Sequence, residues 1–479
     1  MQLLTTLYPI LPELFILLMS CAILLIGVFS SNGAPRISFY CAQITLLIAL
    51  LLLTQQTPST THFFYGLFAN DKLALALKAL MLTAMIFTIG YSHRYNTING
   101  IPGNEFYVLA LLSTIGMMVL VSGENLLMLF LGLELMSLPI YAMVALQRAK
   151  ARAIEAAIKY FIMGSAASGI LLYGFSLFYG ATQTLDLSQI ATTISVTPVT
   201  QDLILYFGLV FVIVGLAFKL GAAPFHAWVP DIYDGAPNSV TLLISAAPKL
   251  AAFGLTVRFL VDAAPGLQIQ WDHVLIAIAL ISIAVGNFAA IIQSNMKRLL
   301  AYSSIAHMGY MILGLACGTA RGDAAAFFYM ITYVLTSLGA FGMIALLSRD
   351  GFEANELSDF SGLSHRQPWM AFMMLLMMFS LAGIPPLVGF IAKVGILEAL
   401  IQNHAVWLAV IAIIFSIVGA YYYIRVVKVM YFEDKNPGAV RTSISRGTSV
   451  VMSVNVLLLL LIGIFPSQLF LWCHAVFGM

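Results

Sequence analysis

The stretch Gly215-Leu-Ala-Phe-Lys-Leu-Gly-Ala-Ala-Pro-Phe-His-Ala-Trp-Val-Pro-Asp-Ile-Tyr-Asp-Gly-Ala-Pro237 decides the fold prediction. It starts as the end of an apolar segment of membrane length and carries Lys219 at that depth. It then breaks at Gly221 and Pro224 and continues into a polar, proline-rich turn with His226, Asp231 and Asp234. Charge and broken backbone at membrane depth are tolerated only inside protein or beside a wet cavity. We therefore predict an ion or proton site here.

The composition of the whole chain is typical of a membrane protein. Of its 479 residues, 61% are hydrophobic and 9% are charged, and the mean hydropathy is +0.98. A soluble domain is about 45–50% apolar and about 25% charged. We predict an all-α polytopic membrane protein whose partner is the lipid bilayer. The net charge of +2 gives no indication of nucleic-acid binding.

Cofactor motifs are not evident. The four cysteines, Cys21, Cys41, Cys317 and Cys473, lie scattered in apolar segments without CxxC spacing. No glycine-rich phosphate loop stands between a strand and a helix. We therefore expect no metal and no bound cofactor in this chain.

Hydropathy predicts about fourteen membrane spans. Their approximate ranges are 9–29, 37–54, 71–91, 105–122, 125–146, 153–179, 202–221, 238–261, 273–293, 298–317, 323–348, 368–385 continuing to 402, 405–431 and 447–466. The seventh and twelfth spans contain breaks, at Gly221 and Pro224 in one and at Gly383, Pro385 and Pro386 in the other.

The basic residues of the loops predict the orientation. With the N-terminus outside, the inner loops carry thirteen of them: Arg36, Arg94, Arg148, Lys150, Arg152, Lys297, Arg298, Arg349, Arg366, Lys428, Lys435, Arg441 and Arg446. The outer loops carry only Lys72 and Arg321. Because inner loops are enriched in Lys and Arg, we expect both termini outside, which is the periplasm in a Gram-negative host.

Two halves of the chain resemble each other. The segment from Glu155 to Gly174 aligns without gaps with the segment from Asp323 to Gly342, and Pro224 aligns approximately with Pro385. Five spans per repeat is an odd number, so the second repeat is inverted, and paired broken spans in inverted halves indicate a transporter site. The predicted organisation is an N-terminal segment 1–104, repeat I at 105–262, repeat II at 272–431 and a C-terminal segment 447–479.

Among the ionisable residues inside the predicted spans, six form the candidate site: Glu134, Lys159, Lys219, Lys249, His307 and Lys393. Each unpaired charge at this depth costs at least about 2.5–3.5 kcal/mol, so the economical arrangement points them inward as a polar row with water. Glu134 is the deep carboxylate of the first half. We expect it to be the counter-ion of Lys159 or Lys219, in a pair whose opening and closing passes a proton.

Simpler interpretations stay open for several residues. Lys159 can reach the membrane interface, as can Arg258, which we expect to extend outward. His307 can be a core histidine with satisfied hydrogen bonds. The aspartates of the proline-rich turn can be ordinary turn residues, and His226 can cap that turn.

Three stretches of the sequence resemble a known family, the antiporter-like subunits of respiratory complex I. They are Leu216–Pro237, Asn295–Tyr310 and Ser380–Lys393, and the resemblance covers nearly the whole chain. It implies two inverted five-helix repeats with broken seventh and twelfth helices. It also implies roles in proton transfer for the six candidate residues.

The resemblance further implies a subunit of a proton-translocating NADH–quinone oxidoreductase, with no redox chemistry in this chain itself. The expected partners are the M-, K-, J-, A-, H- and L-type membrane subunits and a peripheral arm. FMN, iron–sulfur clusters and quinone are expected in those other chains. The expected location is the bacterial inner membrane.

Alternative functions are a subunit of a multisubunit Na+/H+ antiporter and a membrane subunit of a related hydrogenase. A structural spacer is a further alternative, and the buried lysines argue against it because leucine would be more stable there.

Overall fold

The computed structural model describes residues 7–29, 34–59, 63–196, 203–349, 351–434 and 446–479. Within these ranges the regular structure is helical, and β-pairing is limited to isolated bridges. The loop basic residues Lys435 and Arg441 lie outside the described residues.

Twenty α-helices follow one another along the described chain. They are α1 (Leu11–Phe29), α2 (Ala34–Thr54), α3 (Lys72–Ile98), α4 (Gly103–Ser122), α5 (Leu126–Val144), α6 (Ala151–Thr182), α7 (Leu187–Val196), α8 (Leu203–Leu220), α9 (Trp228–Gly235), α10 (Asn238–Ile244), α11 (Ala247–Val257), α12 (Gln268–Ile291), α13 (Met296–Leu315), α14 (Ala320–Leu347), α15 (Leu363–Arg366), α16 (Pro368–Ala382), α17 (Val388–Gln402), α18 (Val406–Phe432), α19 (Arg446–Ile464) and α20 (Ser467–Val476).

The predicted fold class is confirmed. In the described part of the chain, twelve helical stretches are long and apolar enough to cross a membrane. The remaining two predicted spans are α13 and the broken pair α16–α17. The eighth predicted span is itself segmented into α10, α11 and a π-helical turn, Arg258–Ala263. Four short helices, α7, α9, α15 and α20, were not predicted because none reaches membrane length.

The chain divides into two compact units. Unit 1 comprises Met1–Ile89, Ile101–Leu220 and Ala247–His273, and unit 2 comprises Gly90–Gly100, Gly221–Ala246 and Val274–Met479. Glu134, Lys159, Lys219 and Lys249 therefore belong to unit 1, whereas His307 and Lys393 belong to unit 2.

Small residues allow α4 and α5 of unit 1 to approach closely. A side chain at Gly116 would run into the backbone of Met136, and one at Gly132 would lie 2.6 Å from the backbone nitrogen of Leu120. Glycines at such crossings are typical of membrane helix pairs, where close packing replaces the hydrophobic effect. This contact fixes α5, the helix that carries Glu134.

Both predicted breaks are present. Helix α8 ends at Leu220 and is followed by Gly221 with φ +74°, and α16 ends at Ala382 and is followed by Gly383 with φ +82°. A glycine in the left-handed conformation is a common helix terminator, since other residues are strained there. Matching the two glycines pairs Pro224 with Pro386, which corrects the sequence alignment of Pro224 with Pro385 by one residue.

Candidate functional site

In unit 1 the buried Lys249 closes the end of the broken helix α8. Lys249 lies in the first turn of α11 and is 2% exposed. Its Nζ donates a hydrogen bond of 2.9 Å to the carbonyl oxygen of Leu220, the last residue of α8. The carbonyls at a helix C-terminus lack helical partners and carry partial negative charge, so a cation is favoured there.

In unit 2 Lys393 binds the end of the other broken helix, α16. Its Nζ donates to the carbonyl of Ala382, the last residue of α16, and to the Oγ of Ser416, each at 2.9 Å. The ammonium group also lies 5.4 Å from the ring centre of Tyr310, within the range of a cation–π contact. Lys393 and Lys249 therefore make the same contact with the end of a broken helix, and Lys219 does not.

Lys219 instead contacts α5. Its Nζ donates to the Oγ of Ser137 at 3.0 Å, and this hydroxyl donates in turn to the carbonyl of Leu133. Ser137 is one turn along α5 from Glu134, whose charge acts on Lys219. In the described part of the chain, the buried Oε1 of Glu134 accepts no hydrogen bond. Lys219 therefore contacts Ser137 directly, with Glu134 as its neighbouring charge. This corresponds to the open form of the predicted pair.

The expectation that Lys159 points inward with the other lysines is wrong. Its side chain is 44% exposed, and its Nζ lies 2.8 Å from Glu155, one turn earlier on α6. Glu155 offers a counter-charge at the i,i+4 spacing, which places both groups on the same exposed face. Glu134 is therefore associated with Lys219.

His307 of unit 2 sits in a cluster of tyrosines. Its Nδ1 lies 2.7 Å from the hydroxyl of Tyr329, and its Nε2 lies 3.0 Å from that of Tyr423. A small cavity of about 10 Å³ adjoins this histidine and is also lined by Thr336 and Ser380. Both ring nitrogens thus have hydroxyl partners that can give or accept a proton.

These tyrosines are not among the residues that the sequence predicted for the site. Tyrosine is common in membrane proteins, and its spacing does not distinguish a packing role from a hydrogen-bonding one. The only available signal was that Tyr329 and Tyr423 lie in the same predicted spans as other polar residues.

The segment after the first break is not the predicted polar turn. Residues from Trp228 to Gly235 form helix α9, and Asp234 at its end is only 6% exposed. The proline at position 230 occupies the first turn of α9, where a missing N–H is harmless. His226 precedes the helix, and its Nδ1 is buried without a hydrogen-bond partner in the described chain.

The aspartates of α9 are held by the start of α13. The Nη1 of Arg298 donates to Asp231 at 3.1 Å, and the side-chain amide of Asn295 donates to Asp234 at 3.1 Å. Lys297, 1% exposed, donates to the carbonyl of Ala236 at 2.7 Å. Two of the sequence stretches that carried the family resemblance therefore meet within unit 2.

A second group of charges, outside the predicted site, occupies unit 1. Lys78 and Glu13 are buried and form an ion pair of 2.6 Å between Nζ and Oε1. Arg258 was expected to reach outward, yet it is 4% exposed and binds both oxygens of Asp71, at 2.7 and 2.8 Å. Asp262 adds a contact of 3.1 Å to the same guanidinium group. The inward direction of Arg258 follows from the position of Asp71 just ahead of α3.

The pKa of Asp71 reflects this pairing. Burial by itself would raise the pKa of this carboxyl group, but the charge and hydrogen bonds of Arg258 outweigh burial and lower it below the usual value. The backbone N–H of Ala74, which donates to Asp71, and the charge of Lys78 act in the same direction.

Across the described ranges, no group of three or more His, Cys, Asp or Glu side chains is arranged to hold a metal ion. The side chains brought together are instead lysines, carboxylates, a histidine and hydroxyl groups. Such a set can bind and transfer protons in a membrane interior.

Comparison with known proteins places this geometry in a class. A family model described as NADH:quinone oxidoreductase/Mrp antiporter, transmembrane, matches residues 123–419. The fold also resembles a chain of the Mrp complex from Dietzia sp. DQ12-45-1b, with a TM-score of 0.86 at 18% identity, covering 98% of this chain and 97% of that one. The chain belongs to the NADH:quinone oxidoreductase/Mrp antiporter family.

Proteins with higher sequence identity to this chain define a narrower group within that family. The chain is 56% identical to NADH-quinone oxidoreductase subunit N of Coxiella burnetii, over 98% of each sequence. It is 48% identical to the protein of the same name from Herminiimonas arsenicoxydans, over 98% of this chain and 97% of that one. It also matches a chain of respiratory complex I from Thermus thermophilus with bound Aureothin, at 32% identity and a TM-score of 0.82, covering 96% of this chain and 98% of that one.

Proposed function

We propose that this chain is a proton-translocating membrane-arm subunit of a bacterial NADH-quinone oxidoreductase. Its partners are the other subunits of that complex, and FMN, iron–sulfur clusters and quinone reside in those other chains. Energy released by electron transfer from NADH to quinone reaches this chain as a change in the charge of its buried groups.

One observation carries the proposal: a lysine binds the last carbonyl of each broken helix. Lys249 binds Leu220, and Lys393 binds Ala382, at 2.9 Å in both cases. A lysine that loses its proton gives up this charged contact, whereas a protonated lysine regains it. Each helix break therefore favours the protonated lysine, because a hydrogen bond that involves a charged group is worth about 1.5–3 kcal/mol.

Glu134 and Lys219 act as the switch that loads unit 1. When Lys219 leaves Ser137 and pairs with Glu134, its proton is held more tightly. When it returns to Ser137, the proton is held more loosely and can pass to Lys249. In unit 2, His307 and its two tyrosine hydroxyls pass a proton to Lys393 through the adjoining cavity.

Proton pumping by the purified whole complex in proteoliposomes tests the proposal. Single variants Glu134→Ala, Lys219→Ala, Lys249→Met and Lys393→Met should each lower the number of protons moved per NADH oxidised. Arg148→Ala, at an exposed position in the loop after α5, serves as the control and should leave the ratio unchanged. Pumping at the unaltered ratio in all four variants would sink the proposal.

We also propose that both termini face the periplasm. The asymmetry of basic residues between alternate loops supports this orientation. A fusion of alkaline phosphatase to the C-terminus should be active, since that enzyme folds only outside the cytoplasm. An inactive phosphatase fusion, together with an active fusion to a reporter that works only in the cytoplasm, would contradict the proposed orientation.

A further inference from the structure

A pocket of about 480 Å³ on the surface of unit 2 has no part in the proposed function. This volume is within the range of about 300–1,000 Å³ that is common for small-molecule sites. Four charged side chains line the pocket: Glu356, Arg425, Lys428 and Glu433. We propose that this pocket, here called the Arg425 pocket, binds a phospholipid whose headgroup carries both a phosphate and a primary ammonium group. Phosphatidylethanolamine is the lipid of this class.

Arg425 is held in place and still has donors to offer. Its Nη1 donates to the carbonyl oxygens of Ile291 and Gln293, at 3.0 and 3.3 Å, at the C-terminal end of α12. Within the described part of the chain its hydrogen bonds all come from Nη1, so Nη2 is left for a ligand. Lys428, one turn further along α18, is exposed and forms no hydrogen bond or ion pair with the described residues. Since guanidinium and ammonium groups bind phosphate, these two side chains define a phosphate position.

The two carboxylates of the pocket oppose the binding of a simple anion. Both are exposed, and each accepts a long hydrogen bond, Glu433 from the hydroxyl of Ser361 at 3.5 Å and Glu356 from the amide of Asn295 at 3.4 Å. A carboxylate has about four lone-pair sites, so both can accept further donors. The charges of the two cations and the two carboxylates cancel. A headgroup with one phosphate and one ammonium group therefore complements the pocket, whereas an anionic headgroup complements only half of it.

The apolar surface that leads to the pocket suits an acyl chain. Val410, Ile414, Ile417, Tyr421 and Ile424 are between 49% and 70% exposed and follow one another at spacings of four and three residues on α18. Residues at these spacings share one face of a helix. The rise from Val410 to Tyr421 is about 16 Å, which is about half of a 30 Å hydrocarbon core and thus the depth of one leaflet. Tyr421 and Ile424 also line the pocket, so the acyl-chain surface is continuous with the headgroup position.

The pocket lies where a headgroup is expected along the membrane normal. The apolar surface of α18 ends at Ile424, and the charges begin at the next residue, Arg425. Lys428 is also one of the basic residues that predict the inner side of the membrane. Pockets with basic side chains at that surface are typical positions for lipid headgroups.

Labelling of the purified whole complex with a photoreactive lipid tests the proposal. The complex is placed in nanodiscs of phosphatidylcholine that contain a trace of phosphatidylethanolamine with a diazirine on its acyl chain. Irradiation links this chain to the residues that it contacts, and peptide mass spectrometry should locate the links on α18 between Val410 and Ile424. Replacing part of the phosphatidylcholine by unlabelled phosphatidylethanolamine should suppress the labelling. Phosphatidylglycerol, which has no ammonium group, should compete at least about tenfold less well.

Two double variants separate the two parts of the headgroup. Arg425→Gln with Lys428→Gln removes the phosphate position and should lower the labelling of α18 at least about tenfold. Glu356→Gln with Glu433→Gln leaves only the two cations in the pocket. This second variant should prefer phosphatidylglycerol to phosphatidylethanolamine, a change that a merely structural role of the carboxylates would not produce.

The matched control removes an arginine and a lysine from another loop. Arg148→Gln with Lys150→Gln alters two exposed positions of the loop after α5 and should leave the labelling unchanged. If the double variant at Arg425 and Lys428 does not assemble, Lys428→Gln alone should still lower the labelling, because this exposed side chain has no described partner to lose.

Four results would overturn the inference. They are equal competition by all three lipids, equal labelling of the control and of the variants that lack the cations, suppression by inorganic phosphate as strong as by the lipid, and links from α18 to a neighbouring subunit in place of lipid. None of these measurements depends on proton pumping, so their failure would leave the proposed function standing.

Discussion

Replacing Gly383 by alanine should disturb Lys393 directly, and Gly351 offers a matched control. Both glycines have positive φ angles, +82° and +68°. Alanine in the left-handed region costs about 1–2 kcal/mol at either position. The two sites differ in their surroundings, since nothing lies within 4 Å of an added Cβ at Gly351.

At Gly383 the added carbon would meet the lysine itself. It would lie 2.9 Å from Cδ and 3.2 Å from Nζ of Lys393, so the side chain has to move. Moving it weakens the hydrogen bonds to Ala382 and Ser416, and such bonds to charged groups are worth about 1.5–3 kcal/mol. The loss of one of them corresponds to a roughly 10- to 100-fold lower population of the bound lysine.

The assay is NADH-driven proton uptake by proteoliposomes, divided by the rate of NADH oxidation. We expect Gly383→Ala to lower this ratio towards that of Lys393→Met, and Gly351→Ala to leave it unchanged. Thermal inactivation should affect both glycine variants, because both share the backbone cost. If the two variants pump equally well, the contact between Lys393 and the end of α16 has no part in transport. Ser416→Ala removes one hydrogen bond without backbone change and checks the result independently.

Further changes address the other contacts. Ser137→Ala should lower the proton ratio in the same assay, because Lys219 loses its hydrogen bond, worth about 1.5–3 kcal/mol, and shifts towards its counter-ion. Tyr423→Phe should slow pumping and lower thermal stability, since an unsatisfied nitrogen on buried His307 costs about 1–3 kcal/mol. Gly116→Ala should lower the amount of assembled complex on native gels, because overpacking costs about 1–3 kcal/mol and the clash is with backbone.

Each of these changes has a control of the same chemistry. Ser176→Ala removes an exposed hydroxyl that bonds within its own helix, and Tyr421→Phe alters a tyrosine that is 59% exposed. Gly169→Ala adds a carbon with nothing within 4 Å. Loss of function in a control equal to that in its partner would contradict the specific contact invoked.

The sequence determined the architecture. Hydropathy along the chain predicted the spans, and the glycine and proline residues near positions 221 and 383 predicted the two breaks. These features are local, since the cost of burying charge or ending a helix depends on residues close in sequence. For the same reason the buried lysines could be recognised as unusual before any partner was known.

Only the tertiary structure decided which groups meet. Lys249 binds the end of α8, Lys219 binds Ser137, and Lys159 turns away from the interior, although all three looked alike as lysines in apolar segments. Successive residues of a helix point about 100° apart, so a direction is fixed only when the neighbouring helices are in place. The pair of Glu13 and Lys78 shows the same limit, because its two charges lie on different helices and their contact depends on packing.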